Sequence, residues 1–140
     1  MSDGNSASTG LRERLEGASH DLLYTSESDR PFEWFFLAGG GEGWPYGVEE
    51  LARRIGAAPG EELGERTLES FFARHIEKAD PADDVMQRLR PRFEALREML
   101  RRSLGDARVF RVGSVEVKCY AVGADGEGNL AGLFTVSVET

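Results

Sequence analysis

Two oxygen-rich positions far apart in the chain are the residues best suited to chemistry. Thr140 follows a strand-like run at residues 130–138, so its hydroxyl and a main-chain carboxylate that we expect to be free would have a defined position. Such oxygen atoms are the hard ligands that Mg²⁺ prefers. Glu27 lies in the polar stretch 24–30, which we expect to display carboxylates on a short, constrained loop. Thr140 alone is most simply the end of a strand, and the polar stretch alone is most simply a solvated turn. Only the two features together would argue for a binding function.

Catalysis or metal binding by the chain itself has weaker support. Cys119 is the single cysteine, and a thiol nucleophile would require it to pair with His20 or His75. Its position in the middle of a predicted strand favours a buried, inert thiol. The distant histidines lack the spacing of a zinc site, and the glycine cluster at 39–43 lacks the ending of a phosphate-binding loop. We therefore predict a protein that is not an enzyme and has no cofactor, with a cysteine–histidine enzyme as an alternative.

Length and charge narrow the class of protein. The chain has 140 residues, which fits one globular domain with a single core. Its 25 acidic and 17 basic residues give a net charge of −8, so it would repel a phosphate backbone and attract a partner with a basic cleft. Residues 88–111 carry eight arginines, which we interpret as a solvated helix face. We expect no direct contact with nucleic acid.

Composition also predicts where the protein works. A single cysteine excludes an internal disulfide bond, as is usual in a reducing compartment. No apolar run approaches the roughly 18 residues that a membrane span requires. Residues 1–10 have neither the basic nor the apolar segment of a secretory leader. We expect a cytoplasmic protein with no membrane partner, monomeric when free.

The N-terminal half of the chain is predicted to contain helices and short strands. Residues 1–9 are expected to be a disordered lead, and the domain is expected to span residues 10–140. An apolar stripe that begins at Leu11 predicts an amphipathic helix to about Leu23. Residues 32–37 are apolar on both faces, which predicts a central strand covered on each side. Three brief elements follow: a helix closed by Gly56, a strand near Leu63 and a helix capped by Thr67.

The C-terminal half predicts a long helix and then a meander of strands. Asp80 as N-cap and Pro81 at the first helical position begin the helix, with a kink or a fresh start expected at Pro91. Three strands joined by tight turns, hence antiparallel, follow at residues 108–112, 115–122 and 130–138. This order of elements predicts an α+β fold, a three-layer α/β/α sandwich with a central, mainly antiparallel sheet.

Five short segments, taken in order, carry a recognisable pattern. They are residues 22–33 (LLYTSESDRPFE), 70–72 (SFF), 109–113 (VFRVG), 128–132 (GNLAG) and 138–140 (VET). As a set they resemble the nuclease A inhibitor family (NuiA-like) over residues 11–140. The resemblance implies an α/β/α sandwich that blocks a sugar-nonspecific, Mg²⁺-dependent DNA/RNA endonuclease of the ββα-metal class. It also implies that Thr140 reaches the nuclease's Mg²⁺ in trans, while Glu27 enters the basic substrate cleft.

The resemblance and the charge argument together define a predicted partner-binding surface. Its residues are Ser26, Glu27, Ser28, Asp29, Asp80, Pro81, Glu139 and Thr140. The chain departs from the family at 80–82, where it has Asp-Pro-Ala in place of an aromatic residue that packs on the nuclease. Losing such an anchor costs roughly 2 kcal/mol or more of binding free energy. The alternative is a non-inhibitory protein- or ligand-binding module on the same fold.

Overall fold

The structure, a computed structural model, describes the backbone of residues 3–140 and the side chains of residues 9–140. Its helices are α1 (Asp3–Ser19), α2 (Val48–Arg54), α3 (Leu68–Phe72), which continues into a 3₁₀ turn (Ala73–His75), and α4 (Asp84–Ser103). Its strands are β1 (Leu23–Thr25), β2 (Asp29–Pro31), β3 (Glu33–Leu37), β4 (Leu63–Arg66), β5 (Gly105–Val112), β6 (Glu116–Ala124) and β7 (Leu130–Val138). Among the described helices, none combines the length and the apolar character needed to cross a bilayer.

The main sheet has five strands in the order β3-β7-β6-β5-β4, and every neighbouring pair is antiparallel. Strands β1 and β2 form a separate hairpin. Strand β7 lies between β3 and β6, so the strand that leads to Thr140 is hydrogen-bonded on both sides. The predicted α+β class with a mainly antiparallel sheet is confirmed, whereas the three-layer sandwich stays a prediction.

Neighbouring residues of the central strands pack into two separate hydrophobic clusters. Val109 and Phe110 are both 0% exposed, yet they belong to different clusters. The first cluster takes side chains from α1, α3 and α4, and the second takes side chains from α2. Successive side chains of a strand point to opposite faces of the sheet. A hydrophobic cluster therefore packs against each face of the middle of the sheet.

Strand β3 lies at the edge of the sheet, so the prediction that residues 32–37 form a central strand is wrong. It pairs with β7 alone, and Phe36 is 39% exposed. The rings of Trp34 and Phe36 stack with centroids 6.1 Å apart, while Phe35 and Leu37 pack against the second cluster. The run is apolar on both faces because aromatic side chains cover one another at the edge.

Helix α1 begins and ends earlier than the apolar stripe predicts. It ends at Ser19, whose carbonyl accepts a hydrogen bond from the Leu22 N–H at 3.0 Å, and Leu23 already belongs to β1. The apolar stripe runs past the helix end because Leu22 stays buried after the turn. The predicted disorder of residues 1–9 stays a prediction, and residues 1 and 2 lie outside the described residues.

Helix α4 starts later than predicted. Its N-cap is Asp83, whose side chain accepts a hydrogen bond from the Met86 N–H at 3.0 Å, so the prediction of Asp80 as N-cap and Pro81 as first helical residue is wrong. Asp80 instead accepts from the Ala82 N–H at 2.9 Å and closes a turn ahead of the helix. Aspartate is favourable in both positions, which is why the sequence did not separate them. Pro91 lies inside the single helix α4 and not at a new helix start.

Candidate functional site

A β-hairpin, not an irregular loop, presents Glu27. Strands β1 and β2 pair in the register Leu23↔Pro31, Tyr24↔Arg30, Thr25↔Asp29. At the tip, the Ser26 N–H donates to the Ser28 carbonyl at 2.9 Å, which leaves Glu27 as the outermost residue of the turn. The hairpin register therefore fixes which carboxylate is displayed.

The hairpin is attached to the end of β7. The Glu27 N–H donates to the Val138 carbonyl at 3.2 Å, and the Val138 N–H donates to the Ser26 hydroxyl oxygen at 2.9 Å. Three residues earlier on the same strand, the Thr135 hydroxyl donates to the Pro31 carbonyl at 2.8 Å. These bonds hold the hairpin and the chain end together although they are far apart in sequence.

Glu27 and Thr140 form a hydrogen-bonded pair at this junction. The Thr140 N–H donates to Glu27 Oε2 at 2.6 Å, and the Thr140 hydroxyl lies 2.7 Å from both carboxylate oxygens. Both residues are exposed to solvent. A carboxylate has about four acceptor positions, so the pair retains lone pairs for a further ligand. The structure thus places a cluster of uncovered oxygen atoms at one edge of the fold.

Glu139, which directly precedes Thr140, is partly exposed and pairs with another side chain of the protein. Both of its carboxylate oxygens accept from Arg111 Nη2, at 2.6 and 2.7 Å, and Oε2 also accepts from the Ser137 hydroxyl at 2.8 Å. The hydrogen bond from Arg111 lowers the pKa of Glu139, so the carboxylate stays ionised. Its charge is compensated by Arg111, in contrast to that of Glu27.

The other predicted site residues fall into two groups. Ser26 and Ser28 shape the hairpin turn, and Ser28 Oγ accepts from Arg30 Nε at 3.2 Å. Asp29 is exposed on β2. Asp80 and Pro81 precede α4, and within residues 9–140 no hydrogen bond or ion pair links either one to the Glu27–Thr140 pair. These two residues are therefore separate from the junction in bonding terms.

Two further residues form hydrogen bonds with the hairpin, and the sequence did not indicate this role for either of them. His75 Nε2 accepts from the Thr25 N–H at 3.0 Å, and Arg74 Nη1 donates to the Thr25 carbonyl. Both partners of Thr25 come from the turn after α3, about fifty positions along the chain. No motif or spacing signals such a contact, because it depends on how the turn packs against the hairpin.

An apolar cavity of about 210 Å³ lies between the hairpin and the start of α4. Leu23 and Val85 line it and are 43% and 54% exposed, and Thr25, Asp29 and Met86 contribute to its wall. Large apolar side chains that are exposed beside a cavity are typical of binding surfaces.

The groups considered for catalysis are not brought together. Cys119 is 1% exposed, and burial raises the pKa of its thiol to about 11. His75 is buried between Tyr24 and Phe93, while His20 pairs with Asp21 at the surface. No hydrogen bond joins Cys119 to either histidine in the described part of the chain. Among those same residues, no group of three or more potential ligands could hold a metal ion.

Comparison with known proteins identifies a family. The family model NuiA, described as nuclease A inhibitor-like protein, matches residues 9–140 of this chain. No curated protein matches it at a significant level.

Proposed function

Because the chain belongs to the nuclease A inhibitor-like family, we propose that it inhibits a sugar-nonspecific, Mg²⁺-dependent DNA/RNA endonuclease of the ββα-metal class. Inhibition is stoichiometric, and Glu27 and Thr140 occlude the active site of the nuclease. The observation that supports this mechanism is the exposed pair that these residues form, 113 positions apart in the chain.

The chemistry of this pair suits a groove that contains Mg²⁺. Magnesium binds oxygen ligands and keeps positions open for substrate phosphates. An oxygen atom of Thr140 takes one of those positions in trans. The Glu27 carboxylate adds a negative charge beside it, as a second phosphate of the substrate would, and a groove that binds nucleic acid is positively charged.

The pair is also organised before binding. Hydrogen bonds from the Glu27 N–H to Val138 and from the Val138 N–H to Ser26 fix the hairpin against the central strand β7. Groups that are already ordered lose less conformational entropy on association. The free protein is proposed to be a cytoplasmic monomer that makes no direct contact with nucleic acid.

The remaining predicted surface residues have supporting roles in this proposal. Ser26 and Ser28 position the turn, and Asp29 lies beside it on β2. Glu139 acts through its ion pair with Arg111, which fixes the chain next to Thr140. Asp80 and Pro81 precede α4, at the position where the family aromatic residue is missing, and we propose that they contact the nuclease separately from the pair. We therefore expect an affinity below that of an inhibitor that keeps the aromatic anchor.

A titration tests inhibition directly. Purified protein is added to a magnesium-dependent nonspecific endonuclease, ideally from the same organism, and plasmid cleavage is followed on a gel. Cleavage should stop near one inhibitor per nuclease when both are well above the dissociation constant. Unchanged cleavage at excess protein would reject the proposal.

Two variants test the surface, with a matched control. Glu27→Gln and deletion of Thr140 should each weaken inhibition by roughly tenfold or more, since each removes a charge-assisted contact worth about 1.5–3 kcal/mol. Glu127→Gln removes the same charge from the turn that precedes β7, at the opposite end of that strand, and should inhibit normally. Thermal unfolding shows whether each variant is folded. Normal inhibition by both site variants would mean that the inhibitory surface lies elsewhere.

The second candidate function is a non-inhibitory binding module. The apolar cavity beside the hairpin, with Leu23 and Val85 exposed at its wall, favours this reading. Leu23→Ser and Val85→Ser should then abolish capture of a partner from native lysate while Glu27→Gln does not. The opposite pattern, with a nuclease as the captured protein, supports inhibition.

A further inference from the structure

A second cavity, of about 460 Å³, has Glu139 in its wall and concentrates positive charge. It is bounded by β4, α3 with the turn that follows it, β5 and the end of the chain. Its polar wall consists of Arg66, Ser70, Arg74, Lys78, Arg111 and Glu139. Four cations and one carboxylate therefore line a single cavity in a chain whose net charge is −8.

Most of this positive charge is not compensated inside the protein. Of the four cations, Arg111 is the one with an ion pair among the described residues, to Glu139 at 2.6 Å. Arg74 and Arg66 donate to the main-chain carbonyls of Thr25 and Glu65, which carry no net charge. The other three cationic groups line the same cavity and form no ion pair with any carboxylate of residues 9–140. An anion would relieve the mutual repulsion of these groups.

Two of the guanidinium groups are held in place before any ligand arrives. The side chain of Arg111 is 15% exposed, and its hydrogen bonds to the Glu139 carboxylate fix its position. Arg74 is fixed by the Thr25 carbonyl and lies 5.7 Å from the centre of the Tyr24 ring. Planar guanidinium groups in fixed positions match the oxygen geometry of phosphate and bind it through paired hydrogen bonds.

We propose that this cavity binds a phosphate group, either as inorganic phosphate or as a small phosphomonoester. A phosphomonoester dianion balances the excess charge better than a single carboxylate does, because it carries nearly two negative charges at neutral pH. The Ser70 hydroxyl at the wall provides a neutral donor to the same oxygens. The cavity is larger than a phosphate ion, which leaves space for a small organic group.

Glu139 sets the strength of binding. A phosphate that approaches Arg111 must share its guanidinium with the Glu139 carboxylate and is repelled by that charge. Replacing Glu139 by Gln should therefore strengthen phosphate binding, whereas replacing a cation of the wall should weaken it.

Isothermal titration calorimetry at constant ionic strength tests the site, with the full chain and no nuclease present. The probes are inorganic phosphate, a nucleoside 5′-monophosphate and the same nucleoside without phosphate. Both phosphates should bind with a 1:1 stoichiometry and a dissociation constant on the order of 1 mM or below, and the nucleoside should not bind. Tighter binding of the monophosphate identifies the phosphomonoester as the preferred source, and equal binding identifies phosphate alone.

The following variants distinguish a specific phosphate site from a nonspecific effect of positive charge. Lys78→Met and Arg66→Gln should each weaken phosphate binding about fivefold, and the double variant more than tenfold. Arg88→Gln, which removes one positive charge from exposed α4, should have no effect. Glu139→Gln should strengthen binding about fivefold, whereas the matched Glu127→Gln should not. Absence of saturable phosphate binding, or equal effects in the wall variants and their controls, would overturn the proposal.

Discussion

At the scale of single residues, burial determines the chemistry of the side chains that could titrate near neutral pH. His75 is 4% exposed, and its ring lies 4.3 Å from that of Phe93. Burial lowers its pKa to about 4, so the imidazole is neutral at pH 7. Nε2 accepts from the Thr25 N–H, so Nδ1 carries the proton, and in the described part of the chain it has no hydrogen-bond partner. Neutral His75 is thus a support of the hairpin that displays Glu27.

The low pKa of His75 predicts a pH dependence of stability. In the unfolded chain a histidine takes up a proton near pH 6.5, whereas the folded protein does so only near pH 4. The unfolded state therefore binds more protons between these values. The free energy of unfolding should fall by up to about 3 kcal/mol as the pH drops from about 6.5 to about 4.

Urea unfolding of wild type and His75→Gln at several pH values measures this effect. The carboxylates titrate in both proteins, so the difference between them isolates His75. The wild type should lose more stability than the variant between pH 6.5 and 4, and neither should show a histidine effect above pH 7. Parallel curves would contradict the assignment.

Cys119 gives a second prediction at this scale. Burial raises the pKa of its thiol to about 11, so almost no reactive thiolate is present at pH 8. A thiol reagent should label the folded protein at least roughly a hundredfold more slowly than the protein in guanidinium, because labelling requires opening of the core. Fast labelling of the folded protein would instead support the cysteine–histidine enzyme.

At the scale of elements, the start of α4 and the hairpin decide what the site can present. Both are set by short-range hydrogen bonds: the Asp83 carboxylate accepts from the Met86 N–H, and the Ser26 hydroxyl donates to the Ser28 carbonyl. Helix α4 supplies Val85 and Met86 to the cavity beside the hairpin. A change in where α4 begins would therefore move one wall of that cavity.

The N-cap assignment predicts different costs for two neighbouring aspartates. Asp83→Ala removes the acceptor of the Met86 N–H and should lower the free energy of unfolding by about 1 kcal/mol. Asp80→Ala removes only the turn contact to the Ala82 N–H and should cost about half as much or less. Chemical denaturation of both variants measures the two values. A larger cost at Asp80 would place the functional helix start there.

At the scale of the whole molecule, charge is distributed unevenly over the fold. The chain carries a net charge of −8, yet one cavity collects four cations. Glu27 contacts Thr140, and the preceding residue, Glu139, lines the basic cavity and pairs with Arg111. Strand β7, paired on both sides, keeps these groups in fixed positions.

The net charge predicts how association with a basic nuclease depends on salt. Long-range attraction accelerates the encounter and is screened within about 10 Å at 0.1 M salt. Raising the ionic strength from about 0.05 M to about 0.5 M should slow association roughly tenfold, with a smaller effect on dissociation. Stopped-flow mixing measures both rates. An association rate that does not respond to salt would argue against a cationic target groove.

The sequence by itself determined the features that depend on neighbours along the chain. Alternating and β-branched residues predicted the three C-terminal strands, and the tight turns between them predicted antiparallel pairing. The family pattern over residues 11–140 agrees with the match to residues 9–140. The same pattern predicted binding roles for Glu27 and Thr140, and those roles stay predictions.

Only the tertiary structure decided which distant groups meet. The contact of Glu27 with Thr140 spans 113 positions, and that of Arg111 with Glu139 spans 28. Both depend on the strand order, which also places β3 at an edge and β7 inside the sheet. A local pattern reports that a segment is a strand and which faces are apolar, but it does not encode the neighbouring strand. The junction at Thr140 and the basic cavity therefore follow from packing.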